Sequence, residues 1–422
     1  MDPRRGYDTR AVRVALLVKD LQLSGGVGVV VKHARNLVAD HGFDVTLVTT
    51  EGQDEPHWEY ESLEHLHVAT LAEAMAADFD IAVSTWWETA FGLFQLKAAR
   101  YASFVQSIED RFYESYQSVE RLGARVTLDL PVAFITEAGW IADTLRDIHP
   151  DAQVHLVRNG IDKETFSPVD SAERRDGEPL RVLVEGNPAS WFKGVDDSIK
   201  TVDLMREPHS LTVVCPSTIG LRDAYVPRAI GPLTPAELAD VYGETDVLLK
   251  LSRVEGMYGP PLEAFHKGAT CVTTEVTGSD EYIRHGVNSL VCDWDDRKGT
   301  AGMLDLLARD RDLLHRLRTG ALETARAWPD WRDSSTRFAG ALNEIALAPP
   351  PPADARIGSM MVTLRVGLEQ ERGLSGYYRK IRADAGRWQR VNSLPAVSQL
   401  LSARRSARDA LRGRRGKNSQ GQ

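Results

Sequence analysis

The chain is 422 residues long, 42% hydrophobic and 26% charged, enough for two domains with cores well above the marginal size and unlike a disordered or fibrous chain. The net charge is −9, but from Arg356 onward 15 Lys and Arg stand against 4 Asp and Glu, a net +11 that leaves −20 on the rest. So acidic a body argues against nucleic acid as its main partner, while the basic end has an anionic membrane surface as a candidate. Cys215, Cys271 and Cys292 have no metal-like spacing, and at least two sit in apparent strands. The expectation is a reduced, cytosolic compartment with no disulfide framework. The apolar stretch Val14–Val18 is too short for a signal peptide. No run approaches the ~18–20 apolar residues of a membrane span.

In chain order, residues 12–18 read as a first buried strand. SGGVGVVVKHARNLVADHG predicts a glycine-rich turn, then a helix with Val30, Val31, Ala34, Leu37 and Val38 on one face and Gly42 at its end. Residues 44–50 are the next strand, which makes a βαβ unit with the glycines at its ligand edge. Gly25 and Gly26 would let the backbone approach a phosphate or an acceptor. The stretch lacks the G-x-G-x-x-G spacing, and a tight turn without a ligand fits as well. Strands follow at 79–85 and from Ala102. Trp86 and Trp87 follow the first of these, and the acidic–aromatic loop with Glu109, Asp110, Phe112 and Tyr113 follows the second. Aromatic faces suit sugar rings and carboxylates suit their hydroxyls, so these residues are cleft-lining candidates. Ordinary packing at strand ends is the alternative. Residues 132–150 supply a strand and helix stopped by Pro150, and 154–162 a strand running into an Asn-Gly turn.

Residues 163–179 are polar with Pro and Gly and read as an interdomain linker. The alternation then restarts. Strands are expected at 180–186 and 211–215, with Lys193-Gly194 opening a helix between them. Thr234-Pro-Ala-Glu237 is a capping box with Pro at the first helical position. Val247–Leu251 reads as a buried parallel strand, Pro261 as a first helical turn, and Cys271–Thr274 as the next strand. Glu255 falls in the loop and Glu263 just inside the helix, near the carboxyl edge of the sheet where open α/β folds bind ligands. One carboxylate can accept from sugar hydroxyls and the other from ribose hydroxyls, while backbone N–H groups at Gly256–Gly259 can meet phosphate. A solvated loop Glu beside a helix-start Glu is the plainer reading of the bare pair. Residues 278–286 read as a short helix, 303–328 as helical, and 333–348 as one more helix before the stiff run Pro349–Pro352. In the basic tail, Leu394, Val397, Leu400, Leu401 and Leu411 give a weak apolar side amid arginines. A solvated tail or a peripheral anchor on anionic lipid both fit. Two βα arrays joined by a linker predict an α/β protein of two Rossmann-like domains facing across a cleft.

These stretches line up with a known family. LVRNGIDKETFSP, EGNPASWFKG and GPLTPAELADVYGETDVLLKLSRVEGMYGPPLEAFHKGATCVTTEVTGSDEYIRHGVNSLV occur in order. The chain resembles the retaining glycosyltransferases of family 4, with their GT-B fold and Glu-x7-Glu signature. The likeness covers roughly residues 12–347 and is strongest from 154 to 292. It implies a first, acceptor-binding domain at 1–165, a nucleotide-sugar domain at 166–328, a helix at 329–348 that could cross back to the first domain, and a Pro-rich junction with the basic tail at 349–422. It implies that Glu255 contacts the donor sugar or supports positive charge at its anomeric carbon. Lys193 would neutralise the diphosphate leaving group. Gly26, Gly256, Met257, Tyr258 and Gly259 would hold the donor, and Glu263 would accept from the ribose. Trp86, Trp87, Glu109 and Asp110 would face the acceptor. The co-substrate would be a nucleotide-diphosphate sugar, with no cofactor and no bound metal, because Lys193 and helix-start amides can stabilise the departing charge. The acceptor would be a cell-surface glycan or a lipid-linked glycan, reached in the cytoplasm or at the inner face of the plasma membrane. FVQSIEDRFY is similar to members that build rhamnose-containing polysaccharides.

The chain also departs from the pattern. Many relatives carry an Arg shortly before Lys-Gly, where this chain has Glu185-Gly186-Asn187-Pro188. A first-domain His is replaced by Ile108 or Glu109, and Met257-Tyr258-Gly259 replaces the commoner Phe-Gly-Leu. A GT-B sugar-nucleotide epimerase and a non-catalytic glycan-binding relative are the competing readings.

Overall fold

The computed structural model describes residues 10–22, 24–51, 63–168, 178–216, 229–349, 357 and 360–371. It separates into two compact units, Met1–Ser359 and Met360–Gln422. The described part of the second is a helical stretch at 360–371. The basic tail residues singled out above, and part of the 163–179 linker, lie outside the described residues.

The first unit holds two parallel sheets. One has seven strands: β1 (Arg13–Val18), β2 (Asp44–Thr49), β3 (His67–Thr70), β4 (Asp78–Ser84), β5 (Lys97–Val105), β6 (Ala133–Thr136) and β7 (Val154–Leu156), in the order β3-β2-β1-β4-β5-β6-β7. The other has β8 (Leu180–Glu185), β9 (His209–Val214), β10 (Ala229–Ile230), β11 (Val247–Lys250), β12 (Thr270–Thr274) and β13 (Ser289–Cys292), in the order β10-β9-β8-β11-β12-β13. Chain order reverses between β1 and β4 and again between β8 and β11. A crevice opens at such switch points because successive connections leave to opposite sides. β11 is buried at all four positions, as a strand covered on both faces must be.

Local chemistry explains the helix ends. Thr234 Oγ1 accepts from Glu237 N at 3.3 Å while Glu237 Oε2 accepts from Thr234 N at 2.8 Å, closing the expected capping box. Gly42 ends the helix Gly25–His41 with φ 69°, the left-handed conformation that glycine adopts without penalty. Several expectations change. Gly25 and Gly26 form the first turn of that helix, capped by Ser24, rather than a turn ahead of it. Residues 303–328 are not one helix: Arg297–Arg309 and Arg311–Ala327 meet at Asp310, whose Oδ1 accepts from Leu313 N at 2.8 Å and starts the second helix. Residues 278–286 hold only a single turn, Ser279–Glu281. The helix Ser118–Thr127 and the short strands β3 and β10 were not legible from pattern.

The helix Trp331–Leu347 packs on the first sheet although it follows the second in the chain. Phe338, Leu342 and Ile345 are at most 1% exposed, in one core with Val14, Leu16, Ile81 and Phe104. Three such burials contribute roughly 5–9 kcal/mol, which ties the chain end to the first sheet. The chain thus crosses between sheets twice. The crossings touch where Ile161 N donates to Pro329 O at 3.0 Å and Trp328 Nε1 to Asn159 O at 2.8 Å. Gly160 permits this: an added Cβ would sit 2.2 Å from Asp330 C.

Candidate active site

The site forms at the carboxyl ends of β8 and β11. After β8 the chain makes the turn Trp191–Lys193, and Gly194 follows with φ 63°. A Cβ on Gly194 would lie 2.0 Å from Leu251 O, so only glycine lets the Lys193 turn approach the end of β11 this closely. That approach brings Lys193 Nζ to 2.8 Å from Glu255 Oε2. Glu255 is buried, and burial alone would raise its carboxyl pKa; the ammonium of Lys193, with Lys250 beneath, outweighs this and holds it below the ordinary value.

Sequence reasoning missed Lys250. It ends β11 and is 2% exposed, yet Nζ donates to Glu185 Oε2 at 2.7 Å and to Glu185 O at 3.0 Å. Burial would lower its pKa, but the Glu185 and Glu255 carboxylates raise it, so it stays charged. A lysine inside an otherwise apolar central strand was the available signal. Glu263, half-buried on the helix Gly259–His266, belongs to the same field. Burial and the charges of Glu185 and Asp162 push its carboxyl up to about 8, with Lys250 pulling the other way. Lys193 is thus paired with Glu255, and Glu255 and Glu263 both lie in the field of Lys250. Tyr242 is buried, with its hydroxyl without a hydrogen-bond partner.

The segment between the two acids is mostly turned inward. Met257 is 5% and Tyr258 2% exposed. Tyr258 has φ 51°, a left-handed backbone that costs a non-glycine residue about 1–2 kcal/mol. Its hydroxyl makes hydrogen bonds with Thr273 Oγ1 at 2.6 Å and Lys250 O at 3.1 Å, and its carbonyl accepts from the Tyr282 hydroxyl. These hold the strained residue in place. Pro260 and Pro261 lack N–H groups, so two of the four amides at the start of this helix are missing. The helix start thus offers an anion fewer donors than a typical one.

The first domain closes the other side. Gln106 Nε2 donates to Gly26 O and Thr85 O, each at 3.3 Å, and its own carbonyl abuts Gly256, where a Cβ would lie 2.0 Å away. Gly26 and Gly256 thus flank one residue that the sequence reading passed over. Trp86, Phe112 and Phe192 form a ladder of stacked rings, with centroids 6.0 and 4.8 Å apart, that ends with Lys193 Nζ 5.5 Å from the Phe192 centroid. Trp191 Nε1 donates to Phe112 O at 3.0 Å. The other acceptor-side candidates are less open. Trp87 is 4% exposed and its N–H donates to Glu109 Oε2 at 2.7 Å. Glu109 is itself buried, which raises its carboxyl pKa well above the ordinary value. Asp110 is half-buried, with Oδ1 unpartnered. Among the described residues no group of three or more His, Cys, Asp or Glu could hold a metal ion, and no helix is long and apolar enough to cross a membrane.

Two parallel α/β domains with a charged site at the facing strand ends match a known architecture. The fold is GT-B. Sucrose-phosphate synthase (tll1590) from Thermosynechococcus elongatus superposes with TM-score 0.66 at 15% identity, over 79% of this chain and 99% of that one. Anabaena Alr3699/HepE in complex with UDP and glucose gives 0.64 at 13%, over 79% and 100%. WaaG, a glycosyltransferase involved in lipopolysaccharide biosynthesis, gives 0.59 at 14%, over 77% and 98%. Within the GT-B chain, residues 179–310 match the family model of group 1 glycosyl transferases. Among curated protein sequences no match is found. The matched segment contains Lys193, Lys250, Glu255 and Glu263.

Proposed function

We propose that the protein is a retaining glycosyltransferase that moves a sugar from a nucleotide-diphosphate donor to a glycan or lipid-linked acceptor of the cell surface. The observation that carries this reading is the Lys193–Glu255 pair at the β8/β11 switch point, beside Glu263. The geometry suggests a division of labour. As the C–O bond to the diphosphate breaks, negative charge grows on the leaving oxygen and positive charge at the anomeric carbon. Lys193, turned from Glu255 to the phosphate, would meet the first; the Glu255 carboxylate so released would meet the second. Glu263 would accept from the ribose hydroxyls, and Gly259 N–H would add one donor to the phosphate. The acceptor hydroxyl would attack from the face the diphosphate leaves, with the first domain excluding water that would otherwise hydrolyse the donor. These positive groups belong to the protein, so the proposed step is written without a metal.

HepE binds UDP and UDP-glucose as its structures are described, which makes uridine donors the first to try. A panel of UDP, GDP, ADP and dTDP sugars is screened by thermal shift. Donors that bind are then incubated with cell-envelope acceptors and the products read by mass spectrometry, with anomeric configuration by NMR. Retention with a new glycosidic bond supports the reading. An altered sugar nucleotide formed without acceptor points to an epimerase instead, and absence of binding by every donor overturns the reading.

A further inference from the structure

Glu137 lies in the loop after β6, on the opposite domain from the charged cluster, and its two oxygens reach two different segments, one of them 120 residues away. Oε1 accepts from Met257 N at 3.2 Å, and Oε2 accepts from Asn159 Nδ2 at 2.7 Å. Three residues on, Trp140 Nε1 donates to Gly256 O at 3.1 Å. The Gly256–Met257 peptide is therefore gripped at both ends, its carbonyl by an indole and its N–H by a carboxylate. A peptide plane held at both polar atoms has one orientation. Gly256 is the residue after Glu255, so that orientation aims the Glu255 side chain. Asn159, the other partner, stands where the two interdomain crossings meet and is tied by its own carbonyl to Trp328 Nε1 at 2.8 Å. A second link runs in parallel, with Gly139 N and Arg158 Nε both donating to Glu281.

We propose that Glu137 is a positioning residue that couples the interdomain hinge to the catalytic loop, fixing the Gly256–Met257 peptide and thereby the Glu255 carboxylate. The proposal rests on the glycosyl-transfer reading for its catalytic consequence, but its structural content stands apart from it. Glu137 is buried, with no charged partner among its hydrogen bonds. Burial drives its pKa up, the two hydrogen bonds oppose this, and Glu255 adds repulsion, so that it is raised to about 7. A carboxylate kept in such surroundings costs stability that a plain packing residue would not. Its value must lie in accepting from two donors at once, which an apolar side chain of the same size cannot do.

The test uses the full chain with Glu137→Met, similar in size and unable to accept, and Glu137→Gln, whose amide oxygen can still take the Met257 N–H once the Asn159 amide turns over. Amide hydrogen exchange across residues 252–265 is measured without substrate. We expect protection in that segment to fall at least about tenfold in Glu137→Met and to be largely restored in Glu137→Gln, because a lost hydrogen bond frees the amide to exchange. With the donor found above, kcat should drop about 100-fold in Glu137→Met with KM changed less than about threefold, as for a misplaced but intact catalytic group. The Gln variant should recover most of kcat. Unchanged exchange in Glu137→Met, or a Gln variant as impaired as the Met variant by both measures, overturns the proposal. If the exchange pattern appears while the wild-type protein transfers no sugar from any donor, the functional reading fails and the clamp stands.

Discussion

Replacing Lys193 with Met removes the ammonium and keeps most of the stem. The Glu255 side chain, 8% exposed, then faces only the more distant charge of Lys250. Breaking a fully buried pair costs ~3–5 kcal/mol. Lys193 is 28% exposed, so water takes up part of the loss and about 2 kcal/mol is expected at neutral pH. The pH dependence fixes the sign. The Glu255 carboxyl is held below its ordinary 4.5 in the folded protein, so its stabilisation is complete above that value and is lost as pH falls through the depressed folded value. The Tm deficit of Lys193→Met should thus be largest near pH 7 and shrink only as pH falls below the ordinary carboxyl value and through the depressed folded one. Sugar transfer should fall much further than stability, by about 100- to 1,000-fold in kcat, because a cation aimed at developing charge has been removed. Thermal melts from about pH 2.5 to 8 and initial rates with the identified donor measure both. A deficit independent of pH refutes the pairing, and wild-type turnover by the folded variant refutes the phosphate role.

Glu263, with its carboxyl pushed up to about 8, keeps a proton that the unfolded chain gives up, so the native state loses stability as pH rises from about 4.5 to 8. Glu263→Gln should therefore melt higher than wild type at pH 8, with the gap closing by pH 5, and should bind the donor nucleotide at least about tenfold more weakly by calorimetry. Gly256→Ala places a Cβ 2.0 Å from Gln106 O and 2.8 Å from Glu137 Oε1. The loop must shift by about 1 Å, which should cost roughly 100-fold in kcat with the fold intact by circular dichroism. Asp310→Ala removes the cap between the last two helices of the second domain and should lower stability by about 1 kcal/mol in urea melts without changing kcat.

Most of the architecture was legible because buried parallel strands announce themselves. VRVALLV, DVTLVT and LRVLVE are runs whose only sensible fate is a covered sheet. β3 and β10 escaped because His67–Thr70 and Ala229–Ile230 are edge strands of four and two residues, too short for a period-2 pattern to register. The 303–328 stretch misled because Asp310 sits in phase with a continuous apolar face, and a cap is a geometric event that periodicity does not register. At the candidate site, the approach of Lys193 to Glu255 was legible from the family likeness, while the spacing of the two acids by itself favoured the plainer reading. Glu137, Gln106 and Asn159 were not legible. Each acts by a contact across about 100 residues or more of chain or through its main chain, and an isolated Glu in TEAGW carries no local mark of its partner.

The resemblance seen in the sequence would place an Arg in the stretch that holds Asn187; a buried cation, Lys250, is held instead by Glu185, two residues before it. Lys250 cannot substitute for that Arg as a phosphate ligand, since its side chain is 1% exposed and its ammonium is committed to both the carboxylate and the carbonyl of Glu185. What it can do is act through its field. Burial and the Glu185 and Asp162 carboxylates raise the Glu263 carboxyl, while Lys250 acts against that rise and also lowers the carboxyl of Glu255. Lys250 thus favours an ionised Glu255 even when Lys193 turns to the phosphate. Glu263 nonetheless holds its proton to about pH 8, because burial and the charges of Glu185 and Asp162 outweigh Lys250 there. A ribose diol donating to Glu263 would favour its ionised form, so donor binding should release up to about one proton at pH 7. Calorimetry in buffers of different ionisation enthalpy reads that number directly. Release that persists undiminished in Glu263→Gln would assign the proton to another group and remove Glu263 from the ribose.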